Sequence, residues 1–352
     1  MEFLLFFFLL LVCAFEFINW FHDTANAVAP VIYTNSLSPK KSVMIAAVFN
    51  FLGVAIGGTA VAMGIIHLLP IESIIAGSTG YGIAVISALL LSSIIWNLGT
   101  WYIGMPASSS HTLIGSIFGI SIVMWYLGGG MPHWYKIYEI LESLFISPII
   151  WFGLAFGGMW AIHHITKDTS IFGHPGRFFN RHPKHGIQYA LVATSAFVSY
   201  AHGSNDGQKW IGLMMLILII LAPGHFDIDT IPWWVIAVIS LSLGLGTMIG
   251  WRRIVVTLGE KIGKHKLSYA QATVASLMTA ITITAASRFG LPVSTTHIMS
   301  SWVAGTMGFE YGKKWLDHNT IKHILMAWVL TLPITIVMSG VIFYILQALL
   351  VK

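Results

Sequence analysis

Charge is what this sequence has least of. Charged residues fill 9% of its 352 positions, against about a quarter in soluble domains, which excludes an ordinary water-soluble globule. Cysteine is nearly missing too: Cys13 stands alone, so no internal disulfide can form. There is no His-Glu-Xaa-Xaa-His element, which argues against an intramembrane metallohydrolase, and no nucleotide-binding loop. Transport, if that is the task, is therefore driven by a gradient rather than by ATP, and no cofactor is expected. The first apolar run has no basic residues ahead of it and carries Glu2, so it does not read as a cleavable signal peptide. A net charge of +5 would suit nucleic acid. The basic residues are confined to short loops between apolar runs, however, so no nucleic-acid partner is expected.

Apolar residues supply 56% of the chain. They fall into ten segments, roughly 3–33, 43–66, 81–103, 108–128, 143–165, 187–222, 232–250, 267–287, 292–308 and 321–347. The pattern predicts an all-α, polytopic membrane protein of about 10–12 transmembrane segments in a lipid bilayer. The first and sixth segments are too long for one plain span and are expected to tilt, break or fold as hairpins. With the N-terminus outside, the loops at 34–42, 166–186, 251–266 and 309–322 hold 14 of the 18 Lys and Arg residues, which places those loops in the cytoplasm. The His-rich central loop lacks metal-ligand spacing and reads as a cytoplasmic linker, 166–186, rather than a metal or anion site. Trp101, Trp134, Trp151, Trp233 and Trp234 read as interfacial aromatics at span ends.

Two polar patterns interrupt this apolar background, and each occurs twice. Asn19-Trp20-Phe21-His22-Asp23-Thr24-Ala25-Asn26 is echoed by His202-Gly203-Ser204-Asn205-Asp206-Gly207-Gln208-Lys209. Gly104-Met105-Pro106-Ala107-Ser108-Ser109-Ser110-His111 is echoed by Gly290-Leu291-Pro292-Val293-Ser294-Thr295-Thr296-His297. Asp23 and His111 stand 88 positions apart, Asp206 and His297 91. Unlike motifs in the same order at nearly equal spacing mark an internal duplication, with a first repeat at 1–165 and a second at 187–352. Five segments per half would turn the second repeat upside down, an inverted-repeat architecture with its site near the midplane.

The motifs suggest a chemistry. An ionisable residue at a bilayer centre costs about 2.5–3.5 kcal/mol, so two such stretches point to a substrate or ion path. Proline followed by Ser or Thr starts and caps a helix, and free N–H groups at a helix start favour an anion. Ser108, Ser109, Ser110 and His111, with Ser294, Thr295, Thr296 and His297, are the candidate anion-binding residues. The competing view is that hydroxyl clusters simply join packed membrane helices. Asp23 and Asn26 share a helix face, with His22 and Asn19 beside them; this group suits Na⁺ or a proton. In the second copy Lys209 replaces the carboxamide next to Asp206. Its charge would repel Na⁺ and either keep Asp206 ionised, contact the anion together with Asn205, or form a structural ion pair. Asp23, without a lysine partner, is the better proton carrier. Glu16 is either a second proton site or an interface residue. Asn97 and Gln271 read as helix–helix hydrogen bonds, and His67 as a loop-edge residue.

These motifs, with Trp96-Asn97-Leu98-Gly99-Thr100-Trp101 and Thr247-Met248-Ile249-Gly250-Trp251-Arg252-Arg253, resemble the inorganic phosphate transporter (Pit) family, in particular its bacterial low-affinity branch. The resemblance covers nearly the whole chain. It implies symport of inorganic phosphate with H⁺ or Na⁺, an inverted-repeat fold, a homodimer and a place in the bacterial cytoplasmic (inner) membrane. The bacterial branch implies protons and a neutral complex of phosphate with a divalent metal such as Mg²⁺. It also implies phosphate contacts at Ser109, Ser110, Thr295 and Thr296, and coupling-ion residues at Asp23, Asn26 and Asp206. Lys209 and His22 depart from the wider family pattern and speak against Na⁺. Sulfate is the rival substrate. Phosphate can keep a proton and donate a hydrogen bond to a buried carboxylate, which sulfate at neutral pH cannot.

Overall fold

The structure, a computed structural model, describes residues 2–105, 107–129, 134–165, 185–227, 229–248, 267–311 and 318–351; within helices the side chains of His22 and Asn26, among others, lie outside the description. The linker and the basic loop 251–266 fall almost wholly outside it, and so does the charge argument that rests on them.

Twelve α-helices account for the described secondary structure. They are α1 (Glu2–Tyr33), α2 (Pro39–Ile56), α3 (Ala60–Ile66), α4 (Ile71–Ala76), α5 (Thr79–Tyr102), α6 (Ser109–Tyr126), α7 (Trp134–Ile165), α8 (His185–Leu221), α9 (Trp233–Thr247), α10 (Tyr269–Arg288), α11 (Thr295–Tyr311) and α12 (His318–Leu350). The apolar segments of the sequence map onto them in order. Six helices or parts of helices are long and apolar enough to cross a membrane: Glu2–Trp20, Pro39–Ile56, Thr79–Tyr102, Ile137–Ile165, Tyr269–Arg288 and Lys322–Leu350. The others fall short for reasons visible in the residues. α9 has 15 residues and α11 has 17, while α6 and α8 carry polar clusters. Large apolar side chains stay exposed on α1 (Phe3, Phe6, Leu10) and α12 (Val337, Val341, Leu349), as a lipid-facing surface requires.

α1 and α8 run unbroken for 32 and 37 residues, about 48 and 56 Å at 1.5 Å per residue. The break comes instead in the second segment, at Gly57–Thr59, where Gly58 takes φ +93°. The helix ends exposed there are satisfied from α8: Gln208 Oε1 accepts from the Val61 N–H at 2.7 Å, and Gln208 Nε2 donates to the Gly57 carbonyl at 3.2 Å. Irregular backbone inside a membrane protein persists only where protein groups satisfy it. α7 begins earlier than the hydropathy suggests, so Trp151 sits mid-helix and buried rather than at an interface. Gln271 is not a helix–helix bond: it closes a capping box with Ser268 at the start of α10.

The approach from α5 to α6 is repeated from α10 to α11. Gly104 and Gly290 both take φ +69°, a value that favours glycine. Met105 N–H bonds the Thr100 carbonyl and Leu291 N–H the Ala286 carbonyl, the 6→1 bond of a Schellman ending. Four residues after each glycine, Ser108 and Ser294 accept from the N–H groups of His111 and His297, both at 3.2 Å, and start the next helix.

Packing between the halves is reciprocal: α1 packs on α9 and α8 on α2, while α7 packs on α11 and α12 on α6. At the α2–α8 crossing, a Cβ on Gly53 would strike the Tyr200 carbonyl, and one on Gly203 the Asn50 carbonyl. Small residues there bring the two backbones into contact.

Candidate functional site

Four helices meet at a buried polar centre: α1 brings Asp23, α8 brings His202, Asp206 and Lys209, and the starts of α6 and α11 bring Ser109, Ser110, Thr295 and Thr296. Every one of these side chains is buried. Hydroxyls from both helix starts converge on the Asp23 carboxylate. Ser109 Oγ donates to it at 3.4 Å, Thr296 Oγ1 at 3.3 Å and Thr295 Oγ1 at 3.5 Å. Asn19, one turn earlier, adds a donor at 2.9 Å. Asn19 is itself held by Asn97, which accepts from Thr112 at 3.1 Å and donates to Asn19 at 3.4 Å. Asn97 is thus the interhelical link expected of it.

Asp206 lives in a different setting. Lys209 donates to Asp206 Oδ1 at 2.6 Å, to Ser110 Oγ at 2.5 Å and to the Val293 carbonyl at 3.0 Å. The ammonium uses three donors on a carboxylate, a hydroxyl and a carbonyl drawn from α8, α6 and the approach to α11. This is an all-oxygen cage of the kind hard cations prefer. His202 stands between the two carboxylates, its Nε2 3.4 Å from Asp206 and 3.9 Å from Asp23. It also meets the Thr295 hydroxyl at 3.0 Å. Asp23, His202 and Asp206 each offer one ligand atom within 4.8 Å of the others, a carboxylate–imidazole–carboxylate set able to hold a divalent cation.

The remaining candidates lie around this centre. Ser108 and Ser294 cap their helices. The His111 and His297 rings lie against each other, tilted by 45° with centroids 4.3 Å apart, and the His297 ring lies in turn against Trp328 at 3.9 Å, tilted by 32°. Asn205 donates to the Leu291 carbonyl and Ser287 hydroxyl and accepts from Val293 N–H, so it holds the approach to α11. The side chains of His22 and Asn26 lie outside the described residues. His202 was not singled out from the sequence, although its signal was present: it precedes Asp206 by four residues, as Asn19 precedes Asp23.

A polar centre of this kind, in a chain with six helices or parts of helices able to cross a bilayer, defines a multi-pass membrane protein built for transport. The sequence model of the phosphate transporter family matches residues 19–339, and the chain belongs to that family. It is 33% identical to the low-affinity inorganic phosphate transporter PitB of Escherichia coli K12, over 95% of each chain. It is 38% identical to a probable low-affinity inorganic phosphate transporter of Bacillus subtilis, over 96% of each. A solved structure described as the sodium-dependent phosphate transporter shares the fold, with a TM-score of 0.80 over 97% of this chain and 100% of that one, at 21% identity.

Proposed function

We propose that this chain is a secondary active transporter that imports inorganic phosphate by symport with protons, the phosphate entering as a neutral complex with a divalent metal such as Mg²⁺. The observation that carries the reading is the convergence of Ser109, Thr295 and Thr296 on the Asp23 carboxylate. Asp23 there stands in for an oxyanion in a cup of hydroxyls. While charged, it competes with phosphate for those donors. A proton on Asp23 removes the competitor and frees the hydroxyls for the substrate, so proton and phosphate bind together. Release of the proton restores the carboxylate and expels the anion.

Lys209 favours protons over sodium, because its ammonium already fills the oxygen cage beside Asp206. Of the three groups able to hold a metal, His202 and Asp206 would take that of the cargo while the proton sits on Asp23, and the metal would offset the repulsion between the Asp206 carboxylate and a phosphate dianion. Inverted repeats, suggested by the duplicated motifs and the reciprocal packing of the halves, would let the two helix starts enter the centre from opposite sides. The transporter would lie in the cytoplasmic (inner) membrane with the 166–186 linker on the cytoplasmic side.

Uptake into proteoliposomes tests this, with proton and sodium gradients imposed separately, Mg²⁺ present or absent, and sulfate as competitor. Proton-driven uphill phosphate uptake that needs Mg²⁺ and disappears in Asp23→Asn is the expected result. A sodium requirement would overturn the proton assignment, and sulfate uptake without phosphate uptake would overturn the substrate.

A further inference from the structure

Glu16 is a buried carboxyl group that the scheme above leaves unused. It lies on α1, two helical turns before Asp23, with 0% of its surface exposed. One oxygen, Oε1, accepts a hydrogen bond from Trp20 Nε1 at 2.9 Å. The other, Oε2, is buried and has no hydrogen-bond partner. Among the described residues no Lys, Arg or His forms an ion pair with it. Leaving an ionised carboxylate in such a place costs several kcal/mol, and a purely structural role would be served as well by glutamine.

Its position ties it to the centre. Trp20, whose N–H is committed to Glu16, sets its ring edge against the His202 imidazole, with centroids 4.7 Å apart. His202 in turn faces both Asp23 and Asp206. The charged groups that act on Glu16 are Asp206, Asp23 and Lys209, and Cys13, one turn before it, is the other titratable neighbour. A change of charge at the centre is therefore felt at Glu16, and the reverse holds by linkage.

We infer that Glu16 is a second proton-holding residue of the transport cycle, separate from Asp23. It takes up one proton on its carboxylate when the carrier loads and gives up that same proton when it unloads, so each phosphate travels with a proton on Glu16 as well as the one on Asp23. Trp20 donates to Glu16 and offers no acceptor, so the proton does not pass through it to Asp23; Glu16, closed off from solvent here, exchanges it with water in the open states of the cycle. This inference rests on the symport reading.

The test is the proton-to-phosphate flux ratio in proteoliposomes, measured beside phosphate/phosphate exchange, for the wild type, Glu16→Gln and Glu16→Asp. The expected result is a ratio lower by one in Glu16→Gln, exchange within about twofold of wild type, and the wild-type ratio kept in Glu16→Asp. Glu16→Met, uncharged and similar in size, gives the same reading if the glutamine variant does not fold. An unchanged ratio in the uncharged variants overturns the role of Glu16 and leaves the symport reading intact. A wild type that moves phosphate without protons overturns the symport reading itself.

Discussion

The Lys209 ammonium stands 2.6 Å from the Asp206 carboxylate, and both side chains are only 1% exposed. Removing one member of a buried pair leaves the other charge unpaired, at a cost of about 3–5 kcal/mol. Lys209→Ala is therefore expected to lower the thermal midpoint in detergent sharply and to abolish transport. Lys209→Asn gives the second copy the carboxamide of the first. It should empty the oxygen cage and create a requirement for a small cation, so that Na⁺ restores uptake that choline does not. Equal uptake of this variant in Na⁺ and in choline would show that the cage is not a cation seat.

The hydroxyls around Asp23 come from two helix starts. A hydrogen bond to a charged group contributes about 1.5–3 kcal/mol. Ser109→Ala and Thr296→Val should each raise KM for phosphate by about 10- to 100-fold and lower thermal stability slightly, since each also takes one of several donors from the buried Asp23 carboxylate. The double variant should lose more than either alone, because both donors converge on one group. Initial-rate uptake across a phosphate titration measures this. An unchanged KM in both single variants would move the phosphate site elsewhere.

His202 is the imidazole of the carboxylate–imidazole–carboxylate set, and imidazole suits transition metals more than Mg²⁺. His202→Asn, which copies Asn19 of the first repeat, should cut Zn²⁺-supported phosphate uptake by at least about tenfold while changing Mg²⁺-supported uptake less. Uptake with each metal in turn reads the difference. An identical metal profile in variant and wild type would remove His202 from the metal set.

The sequence makes the helices legible because hydropathy and caps are local properties. The apolar runs, the Ser108 and Ser294 caps and the glycines at 104 and 290 needed no tertiary information. The duplicated motifs likewise carried Asp23, Asp206 and both hydroxyl clusters. What was not legible depends on partners far along the chain. Gln208 reads as one more polar residue of a motif, but it satisfies a helix break some 147 positions away. Asn205 reads as a ligand, and its bonds to Ser287, Leu291 and Val293, which the motif does not reveal, also make it a brace for the approach to α11. Lys209 is legible as a partner of Asp206, but the Ser110 hydroxyl and Val293 carbonyl that complete its cage come from two other segments and are not. Long-range assembly converts the same residue types into brace, cage or ligand, and spacing along one helix does not distinguish them.

The contact between α2 and α8 places part of the centre's support on residues without side chains. A methyl group on Gly203 would run into the Asn50 backbone, and one on Gly53 into the Tyr200 backbone, neither of which can rotate away. Overpacking of this kind costs about 1–3 kcal/mol or more, and here it would also shift the helix that carries His202, Asp206 and Lys209. Gly203→Ala is expected to lower thermal stability and to lower phosphate uptake by more than the loss of folded protein explains. Gly99→Ala is the matched control. It lies in α5, and an added Cβ there meets nothing within 4 Å, so helix propensity alone should stabilise it by about 0.5–1 kcal/mol. Thermal unfolding and uptake per folded molecule, measured on both variants, separate close packing from propensity. If Gly203→Ala behaved like Gly99→Ala, the register of α8 on α2 would not be what positions the site.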